Sequence, residues 1–278
     1  KYSAKSNNDE VNEIVKETNI YLDEIINTKI GEAYIDKTLV GKNKDITRSR
    51  PTILGNIIAD AYKNAYQQKT NDNYVISIVN SGSIRNDLTK GDITIGSIYS
   101  VTPFSNNLSI IKNVSMRDLK ILLEHGVSGI KNINGEPIRS GGGTGKFPQI
   151  SGFKFIYNIN GTRLKLGKEG NIIQNGNRIS SITLDNGETL VKDGKILDTN
   201  KKVDIITTSF TANGGDGYNL NYMTDGKGKS GRYLFTQINK INQQEIISYI
   251  KKSSKTNKNL TEYNEYSENA EPRIKYIT

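Results

Sequence analysis

The sequence contains no cysteine, no tryptophan and a single histidine in 278 residues. Without cysteine there is no disulfide framework, no thiol nucleophile and no zinc–thiolate site, although the compartment stays open because many secreted proteins also lack disulfides. One histidine excludes paired-histidine metal motifs and the multi-histidine dinuclear centre of a metallophosphatase. That residue, His125, follows Leu122 and Leu123 near the end of a helical stretch and reads as a capping or partly buried structural group. No Gly-x-Ser-x-Gly elbow occurs, so serine-hydrolase chemistry has no support. Long apolar runs are also missing. Nothing approaches the roughly 18 to 20 residues of a membrane helix, and residues 1–10 have no signal-peptide core. A start on Lys1 fits either a processed form or a piece excised from something longer, and the excised piece is the expectation here.

The apolar content of 34% is enough for a packed core. The formal charge of +9 comes from lysines scattered among Asn and Ile along the whole length. This spacing describes a solvated basic surface rather than a nucleic-acid stripe, with attraction for small anions as the runner-up. Two Gly–Lys stretches imitate a phosphate loop and both fail. Before Gly145-Lys146 the leading glycine is replaced by Ser140, and before Gly228-Lys229 it is replaced by Met223.

Apolar positions at helical spacing predict an amphipathic leading helix over residues 9–27, carried by Val11, Ile14, Val15, Leu22, Ile25 and Ile26. A strand is expected over 30–40 and a helix over 52–66, with Pro51 suited to its start. The β-branched run 74–79 ends in the small residues Asn80, Ser81 and Gly82. Ser115 is placed to cap a helix reaching His125, followed by a glycine-rich loop over 135–145. Short strands broken by Asn-Gly and Asp-Gly turns fill 150–197. The segment 203–208 reads as another strand, 234–250 as a closing helix and 251–270 as a polar excursion. No internal repeat is present.

Two strand-ending loops have the composition of a binding site. In Asn80-Ser81-Gly82-Ser83-Ile84-Arg85, small residues admit a ligand to the backbone and Arg85 offers a planar fork for phosphate oxygens. In the segment from Ser209 to Tyr218, three glycines surround Asp216, six residues after Phe210. A carboxylate there can accept from two adjacent hydroxyls, and an aromatic ring can stack on a base. Each residue also has a plain alternative: a surface ion pair for Arg85, the core for Phe210, a turn for Asp216.

Taken in order, these segments resemble the 5'-nucleotidase C-terminal domain family. Arg48-Ser49-Arg50-Pro51-Thr52-Ile53-Leu54-Gly55-Asn56 is similar to its Arg-x-Arg-Glu-Thr-Asn-Leu-Gly-Asn segment, and Asn80 to Arg85 to its Asn-Gly-Gly-x-Ile-Arg segment. Val101-Thr102-Pro103-Phe104-Ser105-Asn106, Gln149-Ile150-Ser151-Gly152 and the stretch from Ser209 to Tyr218 match three further motifs. Pro51, Ile53, Ser81 and Ser83 depart from the family pattern.

The resemblance implies an α+β fold, layered in the α/β manner, with mixed sheets and outer helices. Residues 1–30 would form a leading or interdomain helix, and 31–278 the nucleotide-binding domain. Phe104 and Phe210 would sandwich a nucleobase, with Asn80 and Asn106 near its polar edge. Asp216 would hold the ribose hydroxyls, Arg48 and Arg85 the phosphate or ribose side, and Gly152 would keep one wall open. No catalytic or metal-binding residue is expected in this chain. Two divalent metal ions and the hydrolytic step would belong to an N-terminal metallophosphatase domain of the same polypeptide, leaving this chain inactive alone. The expected partners are that domain and a small nucleotide or nucleoside, with no nucleic acid and no membrane span. The location would be secreted, periplasmic or cell surface. A stand-alone nucleotide-binding module without catalysis is the alternative.

Overall fold

The run Val75–Asn80 is buried along its whole length, as a strand covered on both faces must be. In a computed structural model, which describes residues 6–33, 40–67, 74–140, 145–224, 227, 231–255 and 272–278, it lies inside a five-stranded mixed sheet. The strand order is Phe235–Ile241, Asn107–Ser115, Lys202–Thr208, Val75–Asn80, Pro148–Ser151. Only the pair Lys202–Thr208 and Val75–Asn80 is parallel.

Side chains alternate across this sheet. Val75, Val79 and Ile206 join a core under the helices Ile53–Gln67 and Asn242–Lys255, with Ile57, Ile58, Tyr62, Ile246 and Ile250. Ile76, Ile78, Ile150 and Ile205 face a second core with the helix Met116–Val127 and with Phe153, Phe155, Tyr157 and Ile182 from a second sheet. That sheet runs Lys195–Ile196, Thr189–Lys192, Ile179–Leu184, Phe153–Asn158, Ile274–Ile277. The layers are therefore helices, sheet, then helix and second sheet. Each fully buried Ile or Phe contributes about 1.5–3 kcal/mol against the entropy of ordering it. Arg273 ties the last strand across both layers, donating to both carboxylate oxygens of Asp60 at 2.7 and 2.8 Å and to the Ile150 carbonyl at 2.6 Å.

Several sequence expectations are corrected. The first strand is Lys29–Ala33, and residues 34–39 lie outside the described ones. The segment expected to be a closing helix from 234 begins as the edge strand Phe235–Ile241, because its Ile and Thr residues pair with Asn107–Ser115, and the helix starts only at Asn242. Inside the expected glycine-rich loop, Glu136–Arg139 pairs with Ile130–Ile133 as a hairpin, while 141–144 are outside the described residues. Of the polar excursion, 251–255 continue the helix Asn242–Lys255 and 256–270 are outside the described residues. The helix Ile95–Val101 went unread because its Ile and Val residues look like a strand. Its capping box, with Thr94 N–H donating to Ser97 Oγ at 2.8 Å and Ser97 N–H to Thr94 Oγ1 at 3.2 Å, was the available signal. The leading helix Ser6–Ile26 forms as expected, but most of its apolar stripe is exposed, Ile14 at 59% and Leu22 at 48%, and only its end meets the domain, with Ile25 half-buried and Ile26 beside Gly96.

Candidate functional site

Sheet register gathers the strand-end motifs at one edge. The parallel strands Val75–Asn80 and Lys202–Thr208 end side by side, and their antiparallel neighbours start there: Thr208 is opposite Leu108, and Asn80 is opposite Pro148. The segments 80–86, 102–106, 145–147 and 209–218 consequently meet outside the carboxyl ends of the parallel pair, where α/β sheets bind ligands.

The floor of this cleft is the Asp216 carboxylate. Asp216 sits at φ 53°, in the left-handed region that Asp tolerates better than most side chains, between Gly215 and Gly217. Its carboxylate lies so close to two other backbones that a Cβ on Gly82 would come within 2.8 Å of Oδ2, and one on Gly145 within 2.7 Å. Asn80 donates from Nδ2 to Asp216 Oδ2 at 2.6 Å and accepts at Oδ1 from the Thr211 hydroxyl at 3.2 Å. Both ends of this buried amide are therefore engaged in orienting the carboxylate. Among the described residues, Asp216 Oδ1 has no hydrogen-bond donor and remains free to accept one.

The walls are exposed aromatics. Phe210, 47% exposed, leans on Gly215, where any Cβ would collide with its ring. Phe104, 46% exposed, carries the Arg85 guanidinium 5.1 Å from its ring centroid, a cation–π contact that covers one face. Burial and then the neighbouring Arg85 charge lower the Arg48 pKa, with Asp216 acting in the opposite direction. Neither guanidinium has a hydrogen-bonded or ion-paired partner among the described residues. Two cations held together without an internal counter-ion leave the cleft electropositive beside its one carboxylate.

Buried amides hold these parts in place. Gln149 accepts at Oε1 from Thr52 N–H at 2.9 Å and donates from Nε2 to the Thr47 carbonyl at 3.0 Å and the Arg50 carbonyl at 2.9 Å, so it grips both sides of Arg48. Gly55 makes room for it, since a Cβ there would collide with the Gln149 amide. On the opposite side, Asn242 and Asn106 exchange bonds of 3.0 and 2.9 Å, and Gln243 donates to the Thr102 carbonyl at 2.8 Å, fixing the Phe104 loop from the last helix. His125 donates from Nε2 to the Asp216 carbonyl at 2.9 Å and packs edge-on to Tyr218 at 5.1 Å. Burial, followed by the Lys146 charge, pushes the His125 pKa down to about 4. Its role is structural, behind the acid rather than facing the cleft.

Seven of the eight residues singled out from sequence, Arg48, Asn80, Arg85, Phe104, Asn106, Phe210 and Asp216, line this one cleft of about 670 Å³. The eighth does not. Gly152 lies between the strands Pro148–Ser151 and Phe153–Asn158 at φ 93°, where a Cβ would meet the Val75 carbonyl at 2.9 Å, so the need for glycine there is a chain crossing and not an open wall. Gly82 and Ser83 of the small-residue loop also line the cleft, and sequence reasoning missed Pro103, Ser105, Gly145 and Thr208 as lining residues. Gly145 belongs to one of the failed phosphate loops, and nothing in that local pattern pointed to Asp216. A groove of about 700 Å³ over the second sheet, lined by Lys154, Ile156, Ser181 and Thr183, contains none of the four strand-end segments. Among the described residues, no three His, Cys, Asp or Glu side chains converge as a metal site, and no helix is long and apolar enough to cross a membrane.

The family model for the 5'-nucleotidase C-terminal domain matches residues 30–222. The trifunctional nucleotide phosphoesterase protein YfkN of Bacillus subtilis is 29% identical over 201 residues, 72% of this chain and 12% of that protein. A snake venom 5'-nucleotidase of Macrovipera lebetinus is 30% identical over 196 residues, 67% of this chain and 42% of the venom protein. Among solved structures, a 5'-nucleotidase precursor from Thermus thermophilus matches with a TM-score of 0.66 at 21% identity, over 96% of this chain and 43% of that one, a likeness of fold. The chain thus spans less than half the length of each of these relatives.

Proposed function

Since this chain belongs to the 5'-nucleotidase C-terminal domain family, we propose that it is the nucleotide-recognising part of a phosphoester hydrolase. Phe104 and Phe210 hold the base between them, Asp216 accepts from the ribose hydroxyls, and Asn106 meets the polar edge of the base. Arg48 and Arg85 attract the phosphate side. Asn80 takes a different part from the one the resemblance suggested, orienting Asp216 rather than reading the base. The observation supporting this reading is the pairing of two exposed rings with a carboxylate seated between glycine backbones in one cleft.

Residues 1–30 connect this domain to an N-terminal domain of the same polypeptide, which holds two divalent metal ions and supplies the hydrolytic chemistry. This chain contributes binding and orientation, and is inactive alone. A secreted, periplasmic or surface location fits the venom enzyme among the relatives.

Calorimetric titration with adenosine and AMP tests the reading. Saturable binding is expected, with Phe104→Ala and Phe210→Ala each losing about 1–3 kcal/mol, the usual worth of a base–aromatic stack. Affinity unchanged in both variants would sink the sandwich.

A further inference from the structure

We propose that a second cleft, separated from the first by the Gly145–Lys146 step and the Asp216 loop, binds a phosphate-type oxyanion. It measures about 450 Å³ and is lined by His125, Ser128, Lys146, Arg163, Leu164, Lys165, Leu166 and Ile173. The two clefts share no lining residue: Gly145 borders the nucleotide cleft, and Lys146, next in the chain, borders this one.

Three cations line this cleft and no acidic side chain does. Among the described residues, Lys146, Arg163 and Lys165 have no ion-pair partner. Some cations elsewhere are matched, as in Arg50 with Glu136, Arg139 with Asp45, Arg273 with Asp60 and Lys240 with Glu245. This cluster is set apart by gathering three cations in one cleft with no acid among its lining residues and with Lys146 partly buried. Lys146 cannot simply swing away at its root, because its carbonyl accepts from the Tyr218 hydroxyl and its side chain is partly buried. Burial lowers the Lys146 pKa, Arg163 adds to that effect, and only Asp216 across the wall opposes it. An entering anion relieves this repulsion.

The donor set fits a phosphate: Arg163 offers two parallel N–H groups, and the two ammonium groups offer point charges. His125 is committed through Nε2 to the Asp216 carbonyl and adds no negative charge. Leu164, Leu166 and Ile173 form an apolar flank that tolerates an organic group on the phosphate. The phosphate is either free or attached to a nucleotide.

Calorimetric titration of the full chain with inorganic phosphate at fixed ionic strength tests the site, with Arg163→Gln, Lys165→Gln and Arg85→Gln alongside. A saturable site is expected that weakens about tenfold with Arg163→Gln and less with Lys165→Gln, whereas phosphate held in the nucleotide cleft is the binding that Arg85→Gln removes. Should Arg163→Gln also lose adenosine binding through misfolding, Lys165→Gln decides. Repeating the titration with saturating adenosine or AMP separates the sources: retention beside AMP assigns the site to free phosphate, and loss with AMP alone assigns it to the phosphate of a second nucleotide molecule. Either result supports the site. Absence of saturable binding, or binding lost in Arg85→Gln and unchanged in both other variants, overturns it. Failure here leaves the adenosine titration intact, so the two readings fall separately.

Discussion

Where Asp216 forms the floor of the nucleotide cleft, every neighbouring group is committed: Asn80 to its carboxylate, Thr211 to Asn80, His125 to its carbonyl, and two glycine backbones to its flanks. The walls a few residues away are the reverse, two half-exposed rings, with Arg85 over one of them, and two guanidiniums that have neither a hydrogen bond nor an ion pair among the described residues. A hydroxyl-binding acid needs fixed geometry, since a hydrogen bond weakens steeply with misalignment. A stacking ring needs an open face, since its contribution comes from area that only the ligand covers. The floor is therefore built on folding, and the walls are completed on binding.

This contrast makes substitutions in the floor and its supports act on stability, and those in the walls on affinity. Gln149→Ala has the largest expected effect. It leaves Thr52 N–H and the Thr47 carbonyl unmet in a buried place, at about 1–3 kcal/mol for each such group, and the Arg50 carbonyl unmet in a half-buried one, so urea unfolding should show a loss of about 3 kcal/mol or more. A loss under about 1 kcal/mol would mean that water replaces the amide and that the support is not rigid.

The next effect depends on pH. His125 has a folded pKa of about 4 against an ordinary 6.5, so between these values the unfolded state binds the extra proton. The stabilising contribution is complete above about pH 6.5 and is lost as pH falls towards 4. Linkage puts the loss from pH 7 to pH 5 at about 2 kcal/mol. His125→Gln, which keeps a donor for the Asp216 carbonyl without titrating, should remove that share of the pH dependence in urea midpoints. Equal slopes in the two proteins would show that the imidazole is not buried neutral.

The smallest effect belongs to the wall. Gln243→Ala frees the Thr102 carbonyl and loosens the Phe104 loop, and adenosine affinity should fall by about 1 kcal/mol, the typical worth of one internal hydrogen bond. Unchanged affinity would place the order of that loop in the Asn106–Asn242 exchange.

Much of this was legible in residues 48 to 218. The β-branched run ending at Asn80, the glycines around Asp216 and the order of five motifs identified the family and seven of the cleft's residues. The helix at Ser115 was legible from its cap: Ser115 accepts from Asp118 N–H, and Met116–Val127 follows. Those readings rest on local chemistry, because a cap, a turn or a strand end is written within a few neighbouring residues.

Other features depended on distant segments meeting. The 136-residue separation between Asn80 and Asp216 is closed only by the parallel pairing of their strands, which spends the amide on the carboxylate. The antiparallel pairing of Val75–Asn80 with Pro148–Ser151 brings Gly145 under that acid and leaves Gly152 at a chain crossing. The strand Phe235–Ile241 exists because Asn107–Ser115 presents an open edge to it. By itself the sequence determined which chemical groups were on hand and which segments bend to present them. Tertiary structure alone decided which groups satisfy one another internally and which remain unpaired for a ligand, because that choice is made by sheet register between segments far apart in the chain.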